Sequence, residues 1–116
     1  MPLTIYGIKN CDTMKKARAW LDQRGVDYAF HDYKAAGIER GKLEGWARQV
    51  GWEALLNKAG TTFRKLSDKD REGLTEKKVI ALMLAQPSMI KWPVLELGGG
   101  KLLVGFKPEQ YEAVVR

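Results

Sequence analysis

The sequence predicts an α/β domain: a four-stranded mixed sheet with flanking helices and an extended helical insert. Three observations carry this. Two β-rich runs enclose a helical stretch within the first 33 residues. Two more β-rich runs, separated by Gly98-Gly99-Gly100, stand near the C-terminus. Between the pairs, from about residue 38 to about 88, the apolar spacing is helical.

Each element has its own justification. Leu3-Thr4-Ile5-Tyr6 alternates and is rich in β-formers, and Gly7 ends it. Asp12 to Gly25 reads as a helix, with Ala17, Trp20 and Leu21 on its apolar side, Asp12 and Thr13 as start signals and Gly25 as the stop. Tyr28 to Tyr33 reads as a second strand. A strand–helix–strand run of this kind implies parallel strands and a right-handed crossover. Arg40 to Val50 carries Leu43, Trp46, Ala47 and Val50 at helical spacing, and Trp52 to Asn57 reads as a short helix. Ser67 caps another short helix. Thr75 opens a stronger one, with Val79, Ile80, Met83 and Leu84 inward and an end near Gln86-Pro87. Val94–Leu97 and Lys101–Val104 read as an antiparallel hairpin. Pro108-Glu109 starts a last helix, with Tyr111, Val114 and Val115 apolar. The order β-α-β, helical insert, β-β, α is the thioredoxin-like arrangement, one domain over residues 1–116.

Composition narrows the function. The chain has 116 residues, 45% hydrophobic and 29% charged, which is globular and not disordered composition. A single cysteine excludes an intrachain disulfide, a CxxC dithiol and a cysteine-cluster metal site, and a single histidine excludes a histidine-rich one. No metal or prosthetic group is expected. No apolar run approaches the roughly 20 residues of a membrane span. The N-terminus lacks the features of a signal peptide, so the expectation is a cytoplasmic protein, a monomer, with no membrane partner. The formal charge of +6 favours anionic partners, but it is spread along the chain as a solvated basic surface.

Cys11 carries the chemistry. It lies in Gly7-Ile-Lys-Asn-Cys-Asp-Thr-Met14, after the first strand and at the start of the first helix. Free N–H groups and the helix dipole favour an anion there, so the thiolate is stabilised. Lys9, Lys15 and Lys16 add positive potential and Asp12 opposes them. Free cysteines are usually small core residues, but the polar neighbours argue against a core position. Met14 stands three residues on, where a dithiol oxidoreductase has its second cysteine. With no resolving cysteine, turnover needs a thiol from outside. At the entrance to the hairpin stands Lys91-Trp92-Pro93, and the fold context favours a cis Trp92–Pro93 bond that presents the backbone of Trp92 to a ligand. Trp92 reads as a packing aromatic more than a stacking surface, and His31 as structural.

Five blocks resemble the ArsC/Spx family, most closely its YffB-type branch: Tyr6-Gly-Ile-Lys-Asn-Cys-Asp-Thr-Met-Lys-Lys-Ala17, His31-Asp-Tyr33, Gly51-Trp-Glu-Ala-Leu-Leu-Asn57, Gly60-Thr-Thr-Phe-Arg-Lys-Leu66 and Ile90-Lys-Trp-Pro93. They run in order over essentially the whole chain. The resemblance implies a thioredoxin-like fold with a helical insert and a nucleophilic or redox cysteine, here Cys11. It offers three outcomes. Arsenate reductases use one cysteine with an arginine set, regenerated by glutaredoxin and glutathione. Spx-type members bind RNA polymerase and carry a CxxC switch. YffB-type members are thought to be glutathione-dependent thiol reductases.

The chain departs from the arsenate reductase pattern. Trp92, with Lys91 beside it, stands where an arginine is expected before the proline; Asn57 replaces another; the last falls near Gly105. A trianionic oxyanion needs several forked donors, so an arsenate reductase-like enzyme with an altered oxyanion site is an alternative and not the first expectation. Met14 removes the Spx-type switch, which leaves an RNA polymerase-binding regulator as an alternative. The expected function is a glutathione-dependent thiol–disulfide oxidoreductase with Cys11 catalytic, acting on a disulfide or a glutathionylated thiol. Lys9, Asn10, Arg64, Lys91, Trp92 and Pro93 are the expected substrate- and glutathione-binding set. Arg64 joins it through the family context, since alone it reads equally as a solvated cation.

Overall fold

The computed structural model describes residues 3–115. In chain order its elements are β1 (Leu3–Gly7), α1 (Asp12–Gln23), β2 (Tyr28–Asp32), α2 (Tyr33–Ala36), α3 (Arg40–Val50), α4 (Trp52–Leu55), α5 (Thr61–Arg64), α6 (Asp68–Arg71), α7 (Glu76–Ala85), a 3₁₀ turn (Pro87–Met89), β3 (Val94–Glu96), β4 (Leu102–Val104) and α8 (Pro108–Val114). The chain divides into two compact units, one of residues 3–33 with 92–115 and one of Lys34–Lys91.

The first unit holds the sheet, in the order β2-β1-β3-β4. β1 and β2 are parallel because the helix between them carries the chain back across the sheet. β3 runs antiparallel to both β1 and β4. This is the thioredoxin-like mixed sheet. Its core gathers Ile5 from β1, Met14, Ala17, Trp20 and Leu21 from α1, Leu95 from β3, and Tyr111 and Val115 from the C-terminal helix and its end. The α1 members recur every three to four residues and so share one face. The helix stops in a Schellman turn. Gly25 N–H donates to Asp22 O at 3.1 Å and Val26 N–H to Leu21 O at 3.1 Å, with Gly25 at φ +65°, a region open to glycine. The β3–β4 hairpin closes through Leu97 N–H to Lys101 O at 2.8 Å, although the paired strands stop at Glu96 and start at Leu102. His31 lies on β2 with its ring 4.9 Å from that of Tyr6, whose hydroxyl donates to Glu96 Oε1 at 3.0 Å.

The second unit is helical. α3 packs on α4 and α7 and buries Leu43, Trp46 and Ala47, while Val50 is only half-buried. Two caps foreseen in the sequence are made: Ser67 Oγ accepts from Asp70 N–H at 3.2 Å and Thr75 Oγ1 from Lys78 N–H at 3.2 Å. α4 ends at Leu55 and not at Asn57. Leu56 turns extended and bridges to Ile90, while Asn57 N–H donates to Met89 O at 2.8 Å and Lys91 N–H to Leu55 O at 2.7 Å. Long-range pairing outweighs local helix preference there. Tyr33 begins α2 instead of ending β2, and Leu84 on α7 is half-buried. α2, α5 and the 3₁₀ turn are too short to leave a periodic signal.

Candidate functional site

The site is set by where β1 ends. Gly7 is the last residue of β1, and Ile8-Lys9-Asn10 leads to Cys11. Cys11 is the N-cap of α1, extended at φ −124°, ψ 135°, and its carbonyl accepts the first helical bond, from Lys15 N–H at 2.9 Å. An N-cap side chain faces the N–H groups of the second and third helical residues, here Thr13 and Met14. The thiol makes no completed cap hydrogen bond in the resting geometry, but these two N–H groups and the Thr13 hydroxyl favour its anion.

The strand register brings the second half of the site. Tyr6 of β1 pairs with Val94 of β3, so the residues just before Val94 stand beside the end of β1. The Trp92–Pro93 bond is cis. Pro93 carbonyl accepts from Gly105 N–H at 2.8 Å, extending the hairpin by one step. Sheet pairing with β1 stops at Val94, and the backbone N–H and C=O of Trp92 make no hydrogen bond among the described residues. The Trp92 side chain packs on the sheet's core cluster and donates its indole Nε1–H to Cys11 Sγ at 3.0 Å.

Burial pushes the Cys11 thiol up, but the hydrogen bond from Trp92, the N–H groups of Met14 and Thr13 and the Thr13 hydroxyl together hold it below the ordinary thiol value of 9.0. Every lowering contribution comes from a neutral donor.

The structure thus brings Trp92 onto Cys11, with Pro93 next to Trp92 in the chain and Lys9 and Asn10 exposed on the loop leading to the sulfur. Arg64, the exposed last residue of α5, and Lys91, whose backbone is tied to Leu55, belong to the second unit. Two features escaped the sequence. Thr13 reads in the sequence only as a helix start, although an N-cap cysteine makes its second helical residue a donor. Trp92 reads in the sequence as a packing aromatic within the expected binding set, and its N–H on the sulfur depends on the β1–β3 register. Among the described residues no group of three or more His, Cys, Asp or Glu stands ready to hold a metal ion. Nor is any helix long and apolar enough to cross a membrane.

Comparison with known proteins bears on the family and the fold. The ArsC family model matches residues 6–114. The solved structure of a YffB protein is 60% identical, covers 98% of this chain and 99% of its own, and superposes with a TM-score of 0.94. An arsenate reductase (ArsC) related protein from Brucella melitensis is 59% identical, with coverage of 100% and 96% and a TM-score of 0.77. The global transcriptional regulator Spx of Streptococcus pyogenes is 26% identical over 96% of this chain and 83% of its own.

Proposed function

The chain belongs to the ArsC family of arsenate reductase-like, thioredoxin-fold proteins, and from that premise we propose that it is a glutathione-dependent thiol–disulfide oxidoreductase working with one cysteine. One observation carries the reading: the sole cysteine of the chain caps α1 and holds its thiol below the ordinary range through neutral donors. A lowered thiol is a better leaving group and is ionised at lower pH.

The proposed cycle has two exchanges. Cys11 thiolate attacks the glutathione sulfur of a glutathionylated thiol. The S–S bond breaks, its electron pair leaves with the substrate sulfur, and that sulfur takes a proton from water. A second glutathione thiolate then attacks the glutathione sulfur of the Cys11 mixed disulfide. Glutathione disulfide leaves and Cys11 returns as thiolate. One disulfide is consumed and one is formed: the substrate sulfur leaves as a thiol, and the incoming glutathione is oxidised by joining the glutathione that the substrate carried. No resident cofactor enters the scheme.

In this reading the free backbone groups of Trp92, beside Pro93, pair with the extended backbone of glutathione. Lys9, Arg64 and Lys91 receive its carboxylates, and Asn10 supplies an amide beside the sulfur. The whole chain acts as one thioredoxin-like domain, in the cytoplasm, where glutathione is abundant. The absence of an arginine at positions 57, 92 and 105 weakens any site for a trianionic oxyanion.

A coupled assay tests the proposal: NADPH oxidation with glutathione, glutathione reductase and a small glutathione mixed disulfide, comparing wild type with Cys11→Ser. Turnover that vanishes in the variant is expected. No turnover by a wild-type protein whose thiol still alkylates readily would refute the glutathione cycle and turn attention to a protein partner.

A further inference from the structure

Trp92 stands in an unusual relation to the sulfur. Its ring packs on the cluster that contains Ile5, Met14 and Leu95, and its Nε1–H reaches Cys11 Sγ at 3.0 Å. We propose that Trp92 is a positioning residue for Cys11, donating its indole N–H to the thiolate at rest and giving up that bond whenever the sulfur is held in a mixed disulfide. The proposal deepens the reading of Cys11 as nucleophile and rests on it.

The chemistry of the donor comes first. An indole N–H is donor only, and it neither titrates in the working range nor carries charge. It therefore discriminates by the state of its acceptor. A thiolate takes a charge-assisted hydrogen bond, whereas a disulfide sulfur is a poor acceptor. The contact favours the free thiolate over the mixed disulfide. In the releasing exchange, glutathione thiolate attacks the glutathione sulfur, and the electron pair of the breaking S–S bond stays on Cys11 Sγ. Trp92 waits at that atom.

The second point is rigidity. A donor stabilises a transient charge best when it is already in place. Trp92 enters β3 through Pro93, whose carbonyl is tied to Gly105. On its other side it lies close against Gly7: a Cβ built there would fall 3.1 Å from Trp92 Cβ. The ring is held from the strand side and the core side, with the N–H toward the sulfur.

The third point concerns charge. Lys9, Asp12, Lys15 and Lys16 are exposed on the loop and the first turns of α1, where water and salt screen their charges. Trp92 reaches the sulfur from outside the loop–helix junction, with its Nε1–H 3.0 Å from Sγ. The strand entrance thus supplies one neutral, fixed donor to a sulfur otherwise served by its own helix.

The test is the pH profile of Cys11 alkylation by iodoacetamide, followed by mass spectrometry, for wild type and Trp92→Phe. This readout needs no glutathione. Loss of a hydrogen bond to a charged group is worth about tenfold, so the rate at pH 6 falls by about that factor in Trp92→Phe and the midpoint moves to higher pH. Superimposable profiles would overturn the proposal. Should Trp92→Phe not fold, the wild-type protein still decides. The assigned Trp92 indole N–H resonance shifts through the thiol titration and stays still in Cys11→Ser, whereas a resonance indifferent to that titration overturns the proposal. A displaced profile in a protein without glutathione turnover would refute the cycle and keep the Trp92 contact. Turnover with superimposable profiles would do the reverse.

Discussion

Gly7→Ala isolates the close approach on which the site is built. Gly7 ends β1, and a Cβ there would overlap Met14 Sδ, fall 2.9 Å from Met14 Cε and 3.1 Å from Trp92 Cβ. Met14 is a flexible side chain, but it is 0% exposed and surrounded by the core of the first unit. It cannot retreat into solvent. Forcing a methyl into a filled core costs about 1–3 kcal/mol. Replacing glycine also stiffens the unfolded chain and returns about 0.4–1 kcal/mol. The net expectation is a loss of about 1–2 kcal/mol, or roughly 4 °C in melting temperature per kcal/mol for a chain of this size. Urea denaturation of Gly7→Ala, Met14→Ala and the double variant reads it out. Met14→Ala alone loses about 2–5 kcal/mol by leaving a cavity. Together they lose less than their sum, because the new methyl occupies space that the methionine vacates. Gly7→Ala should also slow Cys11 alkylation near neutral pH, because Trp92 is pushed from its seat. A Gly7→Ala protein within about 0.5 kcal/mol of wild type, with additive effects in the double variant, would refute the argument that strand, methionine and tryptophan share one filled space.

Two further predictions use groups the structure singles out. The Cys11 thiol is held below the ordinary value of 9.0, so between its native value and 9.0 the unfolded chain binds more protons and stability rises with pH. Wild type should gain on Cys11→Ser as pH rises through that window and lose the advantage as pH falls through the native value; a pH-independent difference in urea melts contradicts this. Tyr111 is 0% exposed, with its ring edge-on to Trp20 at 5.6 Å and Phe106 at 4.9 Å. Burial pushes its phenol up, and the hydroxyl has no hydrogen-bond partner among the described residues. Tyr111→Phe keeps the ring and removes the stranded hydroxyl, so stability should rise by about 1 kcal/mol, and a fall of that size in thermal or urea melts would show that the hydroxyl is satisfied.

The parts of the fold legible in the sequence are those with a local cause. Strand β1, helix α1 with its Gly25 stop, the glycine-split hairpin and the caps Ser67 and Thr75 all stand where residue type and spacing put them. The errors share another cause. Leu56 leaves its helix to bridge with Ile90, and Lys91 is tied to Leu55. Those partners are more than thirty residues apart, and nothing in a window around Trp52–Asn57 reports them. Leu84 shows the limit of periodicity in another way. α7 is apolar on much of its circumference, EKKVIALMLA, so spacing does not show that Met83 is buried while Leu82 and Leu84 are half-buried.

The site divides along the same line. Cys11 was legible because an N-cap position follows from a strand, a glycine and a helix start in sequence, and the helix end alone implies an environment suited to an anion. Trp92 lies 81 positions away, and its nearness to the sulfur follows only when Tyr6 is paired with Val94. Even that register places a residue, not the atom it turns toward the thiol. The consequence alters how the substitution at this position is weighed. Judged by its charge, a tryptophan before the proline is a cation removed, and it argues against an oxyanion site. Judged at the sulfur, it is a donor, because the indole N–H reaches Sγ at 3.0 Å. A neutral indole offers a polyanion no charge to attract it, yet it stabilises a thiolate. A disulfide sulfur, which is uncharged, needs only the second. Under the proposed thiol exchange that N–H is what the sulfur needs, and the alkylation profile of Trp92→Phe measures how much of the thiolate's stabilisation rests on it.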